Sequence, residues 1–582
     1  MKRAAAVILT GLVLLCTAGA ADPYIGYLYP AGAETGRSIR LLAGGQNLSG
    51  VHSGIVSGGG VTVRKVTVVP GFPPPDREQR KYLLQWIKNI ETGKPERPPL
   101  PEKTDSWRKN PWWEKLDQLD PLSFLLVVRD LHTKRNALQA TPSLRQMVIV
   151  DLTVDADARP GVRELRLWGK QGISAPKLFF VDAAPHVPEP EFTAPDKPRP
   201  EPPLVSTLPA ILDGQVMPGE TDRFRLRLAA GKEYTMTLTG RRFQPFIGDA
   251  VPGHFQPILR LLDSEGNEAA FADDNYFDPD PVLRFRPSRS GVYTLEIRDN
   301  LFRGREDFVY RVLVEPTKRP FRFGVEPFPG LPRLSTETGT VAVDRPAVLA
   351  GTLQSSEVKR LNFTGKAGMR VVFDVAARRC GSPLDAVLRL TGPDGKTVAE
   401  VDDSPSELNI GTCLQQVDPL LSIELPAGGE YRLELFNRTS EGGDDYRYRL
   451  RIGPPQPDFE VYTTRSILNL AAGAAGKVKL CVVRRDGFDG EIRIGLKNGK
   501  LTGKSVVPAG QSEFTIQVKN PGGRPRGPVE LHFTAEATID GKKIRKEVIP
   551  CDEFIQAFAY THLLPVETFY LGTLRAQRSA RK

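Results

Sequence analysis

The residues of this 582-residue chain that could do chemistry are scattered. Six histidines, His52, His132, His186, His254, His532 and His562, follow the first 21 residues, and no two stand at the spacing of a helical zinc pair. There is no Gly-x-Ser-x-Gly elbow, no Cys-x-x-Cys pair and no phosphate loop ending in Gly-Lys-Ser/Thr. The run Gly58-Gly59-Gly60 leads into a strand-like segment, not a helix, so it lacks an anion-binding helix end. His254 is the best lone histidine, and a surface position without a task is its plainer reading. Asp and Glu are too numerous for a glycosidase pair to stand out. Trp107, Trp112 and Trp113 could stack a sugar, although large aromatics more often pack an insertion onto its host.

Four cysteines follow the leader: Cys380, Cys413, Cys481 and Cys551. An even count in an exported chain suggests disulfides, with buried free thiols as the alternative. Three pairings are possible. Placement along the chain favours Cys380–Cys413 and Cys481–Cys551.

The elements that must position these residues are mostly strands. Gly (54) and Pro (51) are abundant, which favours short strands and frequent turns. Arg223-Phe224-Arg225-Leu226-Arg227-Leu228 alternates like a strand with its cations on the wet face. An internal repeat organises the middle of the chain. Pro209-Ala210-Ile211-Leu212-Asp213-Gly214 matches Pro346-Ala347-Val348-Leu349-Ala350-Gly351 at an offset of 137. Gly240-Arg241-Arg242 falls on Ala377-Arg378-Arg379 at the same offset. The offset becomes 129 at Leu259-Arg260-Leu261, then 138 at Asp280-Pro281 and Tyr310-Arg311. The first copy therefore carries an insertion around Pro245–Gln256, and the second carries one after Asp403 that contains Cys413. A Cys380–Cys413 bond would pin that second loop to its sheet.

Around the repeat, 22–184 reads as a sandwich interrupted by a helical insertion, 72–143. Tyr82, Leu83, Trp86, Ile87 and Ile90 follow helical spacing there, and Asp120-Pro121 opens a second helix. Residues 185–203 hold eight prolines and read as a semi-rigid linker. The remaining segments are sandwiches at 204–316, 340–453 and 457–564, the last with a docked tail, then a basic tail at 565–582. The expected fold is all-β: four jelly-roll or immunoglobulin-like sandwiches in tandem.

Lys2 and Arg3, the apolar run from Ala4 to Leu15, and Ala18-Gly19-Ala20 read as an export signal over 1–21, with the mature chain starting near Asp22. No later stretch is apolar enough to span a membrane. The net charge is +10, but six of the cations lie in the leader and the last eight residues, and taking those six away leaves about +4. That argues against nucleic acid as a partner.

Pro218-Gly219-Glu220-Thr221-Asp222-Arg223-Phe224, Leu259-Arg260-Leu261-Leu262-Asp263, Ala272-Asp273-Asp274 and Ser290-Gly291-Val292-Tyr293-Thr294-Leu295 resemble the pre-peptidase C-terminal (PPC) family. These are β-sandwich modules found beside secreted bacterial hydrolases. Tyr29-Pro30-Ala31-Gly32 through Gly44-Gly45-Gln46-Asn47-Leu48 resembles an IPT/TIG immunoglobulin-like domain. The PPC resemblance implies export and ligand or matrix binding rather than catalysis. Similar sandwiches in collagenases bind calcium, and by that likeness Asp222, Asp273, Asp274, Asp278 and Asp280 would offer oxygens to a hard cation. The second copy departs from this set, with Lys359 in place of Asp222.

The expectation is an exported, non-catalytic binding or scaffold protein of the periplasm, cell surface or medium, whose partner is an extracellular protein or polysaccharide matrix. The alternatives are a hydrolase with its site between domains, and a carbohydrate binder using the tryptophans. A concave pocket with convergent titratable groups would favour the hydrolase.

Overall fold

The computed structural model describes residues 22–69, 77–91, 98–99, 144, 146–190, 201–244, 254–276, 278–317, 326–334, 339–404, 409–411, 417–522, 527–556 and 560–574. The leader, Trp107, Trp112, Trp113, His132, the helix expected at Asp120-Pro121, Cys413 and the basic end lie outside those residues. The described chain is almost entirely β, in four two-sheet sandwiches. None of its helices is long and apolar enough to cross a membrane.

The first sandwich packs the sheet of Tyr24–Tyr29, Ser38–Gln46, Gln146–Val154 and Val61–Val68 on that of Gly32–Glu34, Lys177–Asp182, Gly161–Gly169 and Val51–Val56. Leu41, Val150, Leu165, Leu167 and Phe179 fill the space between. Helix Arg77–Glu91 buries Tyr82, Leu83 and Trp86 against Tyr27, Met147 and Phe180, and the same cluster reaches Phe243 and Val309 of the second sandwich.

The second and third sandwiches share one strand order. Ala210–Gln215, Val309–Pro316, Tyr234–Thr239 and Val282–Phe285 run in the sequence in which Ala347–Thr352, Arg447–Gly453, Arg370–Ala376 and Leu420–Glu424 run. The strand Asp222–Leu228 buries Phe224, Leu226 and Leu228 and exposes Arg223 and Arg227. Each such apolar side chain contributes about 2 kcal/mol by leaving water. Gly214 lies under the Tyr310 ring, and Gly351 lies under Tyr448. A Cβ at either glycine would collide with the phenol, so both copies need glycine there. The residues expected as linker begin inside the fold: His186–Pro188 adds a parallel strand beside Ala210–Gln215.

The fourth sandwich packs the sheet of Asp458–Thr463, Ala475–Arg485, Glu513–Lys519 and Lys500–Thr502 on Ile467–Ala471, Phe569–Leu574, Val529–Ile539 and Ile492–Lys497. Its last strand corrects the expected tail boundary. Phe569–Leu574 pairs with Ile467–Ala471, and Phe569 is fully buried. Another strand arrives from elsewhere. Asn409–Ile410, in the second copy's insertion, pairs with His562–Leu563 of the fourth sandwich. That insertion therefore leaves its own sheet and reinforces a neighbour.

Contacts run around the four sandwiches and close. First meets second through Arg311 and Asp182 at 2.6 Å. Second meets third through Arg284 and Asp445 at 2.6 Å and the edge-on rings of Tyr276 and Tyr446. Third meets fourth through Arg451 and Asp486 at 2.6 Å. Fourth returns to first through Asn469, whose amide takes the N–H of Ile173 at 2.9 Å and donates to its carbonyl at 2.8 Å.

Candidate functional site

The first, second and fourth sandwiches enclose a half-open cavity of about 1160 Å³, to which the third adds only Gly411, from the insertion that crosses to the fourth. The strand Gly161–Gly169 supplies one wall. Leu165 and Leu167 face the core of the first sandwich, so period-two alternation turns Glu164 and Arg166 outward. The fourth sandwich covers that outer face. Arg166 is 1 % exposed; it donates to Ser466 Oγ at 3.1 Å and the Thr568 carbonyl at 2.9 Å, with Glu164 at 3.4 Å. Glu164 accepts the Glu567 N–H at 2.7 Å. Burial pushes its carboxyl up to about 7 although Arg166 opposes the shift. Asp552, also in the wall, accepts the Ser466 N–H at 2.8 Å and hydroxyl at 2.9 Å, and burial raises its pKa.

Lys177 starts the strand Lys177–Asp182 and shares a face with Phe179 and Val181. It is 7 % exposed and lines the cavity. Burial pulls its ammonium down to about 7. Asp307 attracts it from a distance but is itself gripped by Arg305, Nε at 2.5 Å and Nη2 at 2.9 Å. His254, expected at the surface, is instead buried, its ring edge-on to Phe308 and 3.4 Å from Asp307.

His186 joins the first two sandwiches, 2.5 Å from Asp213 and 3.2 Å from Asp182. Burial disfavours its charge, but the two carboxylates outweigh that and raise its pKa to about 9.

The five aspartates expected to hold a cation have different tasks. Asp280 is buried and takes the backbone N–H groups of Gly240, Arg241 and Arg242 at 3.0, 2.7 and 3.2 Å. Asp278 accepts the Asp280 N–H. Asp273 and Asp274 follow the strand Glu268–Ala272. Asp222 receives the Tyr310 hydroxyl at 2.8 Å. Among the described residues, the carboxylates that gather within 4.8 Å are those of Glu189, Glu220 and Asp222; the other four aspartates do not join them. The expectation missed Glu189 because it lay in a stretch read as linker.

Cys481 and Cys551 are free thiols, so the expected Cys481–Cys551 bond is not formed here. Cys481 and Cys551 nevertheless share one buried cluster with Tyr462 and Leu563.

No family model matches the chain, and no curated protein matches it. Among solved structures, it is similar to a periplasmic inhibitor of g-type lysozyme from Salmonella Typhimurium, with 22% identity over 20% of this chain and 97% of that one, at a TM-score of 0.14. Fibronectin(III)-like modules of CbhA from Clostridium thermocellum match at 12% identity over 37% of this chain and 93% of theirs, TM-score 0.12. A four-domain ectodomain fragment of ICAM-5 matches at 12% identity over 90% of this chain and 98% of that one, TM-score 0.11. Likenesses this weak say nothing about function.

Proposed function

We propose that this is an exported, non-catalytic binding or scaffold protein whose four sandwiches, two of them PPC-like, form a closed ring and present a central cavity of mixed polar and apolar lining to an extracellular polysaccharide or protein. One observation carries the reading: the two acids of the cavity wall whose carboxyl pKa burial raises, Glu164 and Asp552, are spent on structure. Glu164 is committed to Glu567 and Arg166, and Asp552 to Ser466. A general acid or base must instead be free to reach the proton it moves. The test is to mix the purified chain with extracellular polysaccharide and with cell-wall sacculi, and to measure co-sedimentation and release of reducing ends. Binding without release supports the reading; release overturns it.

The same cavity favours a second reading, a hydrolase with an inter-domain site, because Glu164 has a carboxyl near 7, suited to proton transfer. The release assay decides between them.

Two further parts of the proposal rest on export. Outside the cytoplasm Cys481 and Cys551, already in one cluster, would be oxidised together, and Cys380 with Cys413; mass spectrometry without reductant reads both pairs. Calcium would bind at Asp222 with Glu189 and Glu220, since three converging carboxylates suit a hard cation. A melting curve in calcium against chelator tests this, and equal midpoints remove it.

A further inference from the structure

The charges in the cavity wall are unevenly committed. Asp22 takes the Asn469 amide at 2.9 Å, Asp278 takes a backbone N–H, and Glu164 and Asp552 are bonded as described above. Of the lining acids, Glu553 alone makes no such bond with its side chain among the described residues. The cations differ. Lys177, Arg242 and Arg465 all line the cavity, and none forms a side-chain hydrogen bond or ion pair among the described residues. Arg242 and Arg465 are exposed and keep their hydration. Lys177 is more than nine-tenths buried as a residue while its side chain still lines the cavity, and so little water there favours the neutral amine over the ammonium unless an anion stands beside it.

We propose that the inter-sandwich cavity binds a small ligand bearing a carboxylate or phosphate group, and that Lys177 is the residue that pairs with that oxyanion while Arg242 and Arg465 attract it. This rests on the binding reading above and names its ligand chemistry. The volume, about 1160 Å³, is slightly above the usual range of small-molecule sites and has room for an oligosaccharide of a few units. No covalent step is involved. The anion enters, loses part of its water and gains a charge-assisted hydrogen bond from the Lys177 ammonium.

The test uses the full chain in calorimetric titrations at fixed ionic strength. The probes are trigalacturonate, inorganic phosphate and, as the uncharged control, maltotriose. Saturable binding of trigalacturonate or phosphate, and none of maltotriose, is expected. Trigalacturonate alone would mark a carboxylated sugar as the source of the oxyanion; phosphate alone would mark a phosphate group. Lys177→Met should weaken that binding about tenfold or more. It should also raise the melting temperature of the ligand-free chain, because a buried amine is gone, and so it reports on binding rather than misfolding. No binding of either anion, equal binding of maltotriose, or unchanged affinity in Lys177→Met would overturn the proposal. Cleavage of bound trigalacturonate would overturn the non-catalytic reading and leave the anion site standing.

Discussion

Glu164 and Glu567 lie 403 residues apart, yet the carboxylate of the first accepts the backbone N–H of the second at 2.7 Å. This bond and its neighbour, Arg166 on the Thr568 carbonyl, fasten the first sandwich to the last. Glu164→Ala would leave Arg166 buried without its carboxylate. Breaking a buried pair in this way costs about 3–5 kcal/mol, whereas Glu164→Gln keeps a hydrogen-bond acceptor and should cost less. Thermal melting of the two variants beside the parent checks the order; equal midpoints for all three would contradict it.

Asp280 and Asp418 do the same work in the two copies. Asp280 gathers the amides of Gly240, Arg241 and Arg242; Asp418 gathers those of Ala377, Arg378 and Arg379 at 3.0, 2.8 and 3.1 Å. Alanine at either position strands buried donors, at about 1–3 kcal/mol. The two losses belong to separate cores, so they should add in the double variant. Chemical denaturation followed by hydrogen exchange in each sandwich would measure this.

The repeat was legible in the sequence for a physical reason. Its matched residues, Gly214 with Gly351, Tyr310 with Tyr448 and Asp280 with Asp418, are those the backbone of each sandwich requires. Period-two alternation likewise gave the faces of Asp222–Leu228. The same rule failed at Glu164 and Arg166. Alternation with Leu165 and Leu167 puts them on the outer face, but water does not reach that face because the fourth sandwich covers it. Contacts between domains leave no period in a sequence. Lys177 did leave a signal, a lysine in phase with Phe179 and Val181 on an inward-facing strand. Asp280 was read as a cation ligand because Asp-rich turns look alike whether the carboxylate holds a metal or a backbone turn.

His186 gives the junction of the first two sandwiches a pH dependence. Its folded pKa, about 9, lies above the ordinary 6.5. A raised pKa means the folded state holds the proton more tightly. The stabilisation is therefore complete below pH 6.5 and is lost as pH rises through 9. Its size is on the order of 3 kcal/mol. His186→Gln should remove that part of the slope between pH 6.5 and 9, read from melting temperatures at a series of pH values. A variant with the parent's slope would contradict the assignment.

Cys481 and Cys551 are both buried, and burial raises both thiol pKa values. The thiolate is the reactive form. While reduced, neither should be alkylated in the native chain, and both should react once it is unfolded. Counting modified cysteines by mass before and after denaturation checks this. Rapid native labelling at either position would contradict the burial.

The ring itself is the central claim, since the cavity, the covered Glu164–Arg166 face and the anion site exist only if the first and fourth sandwiches meet. Small-angle X-ray scattering of the chain in solution measures that directly. Closure predicts a compact pair-distance distribution with a single broad maximum and a largest dimension of about two sandwiches. An extended distribution, with the regular shoulders and the length of four modules in a row, would contradict it.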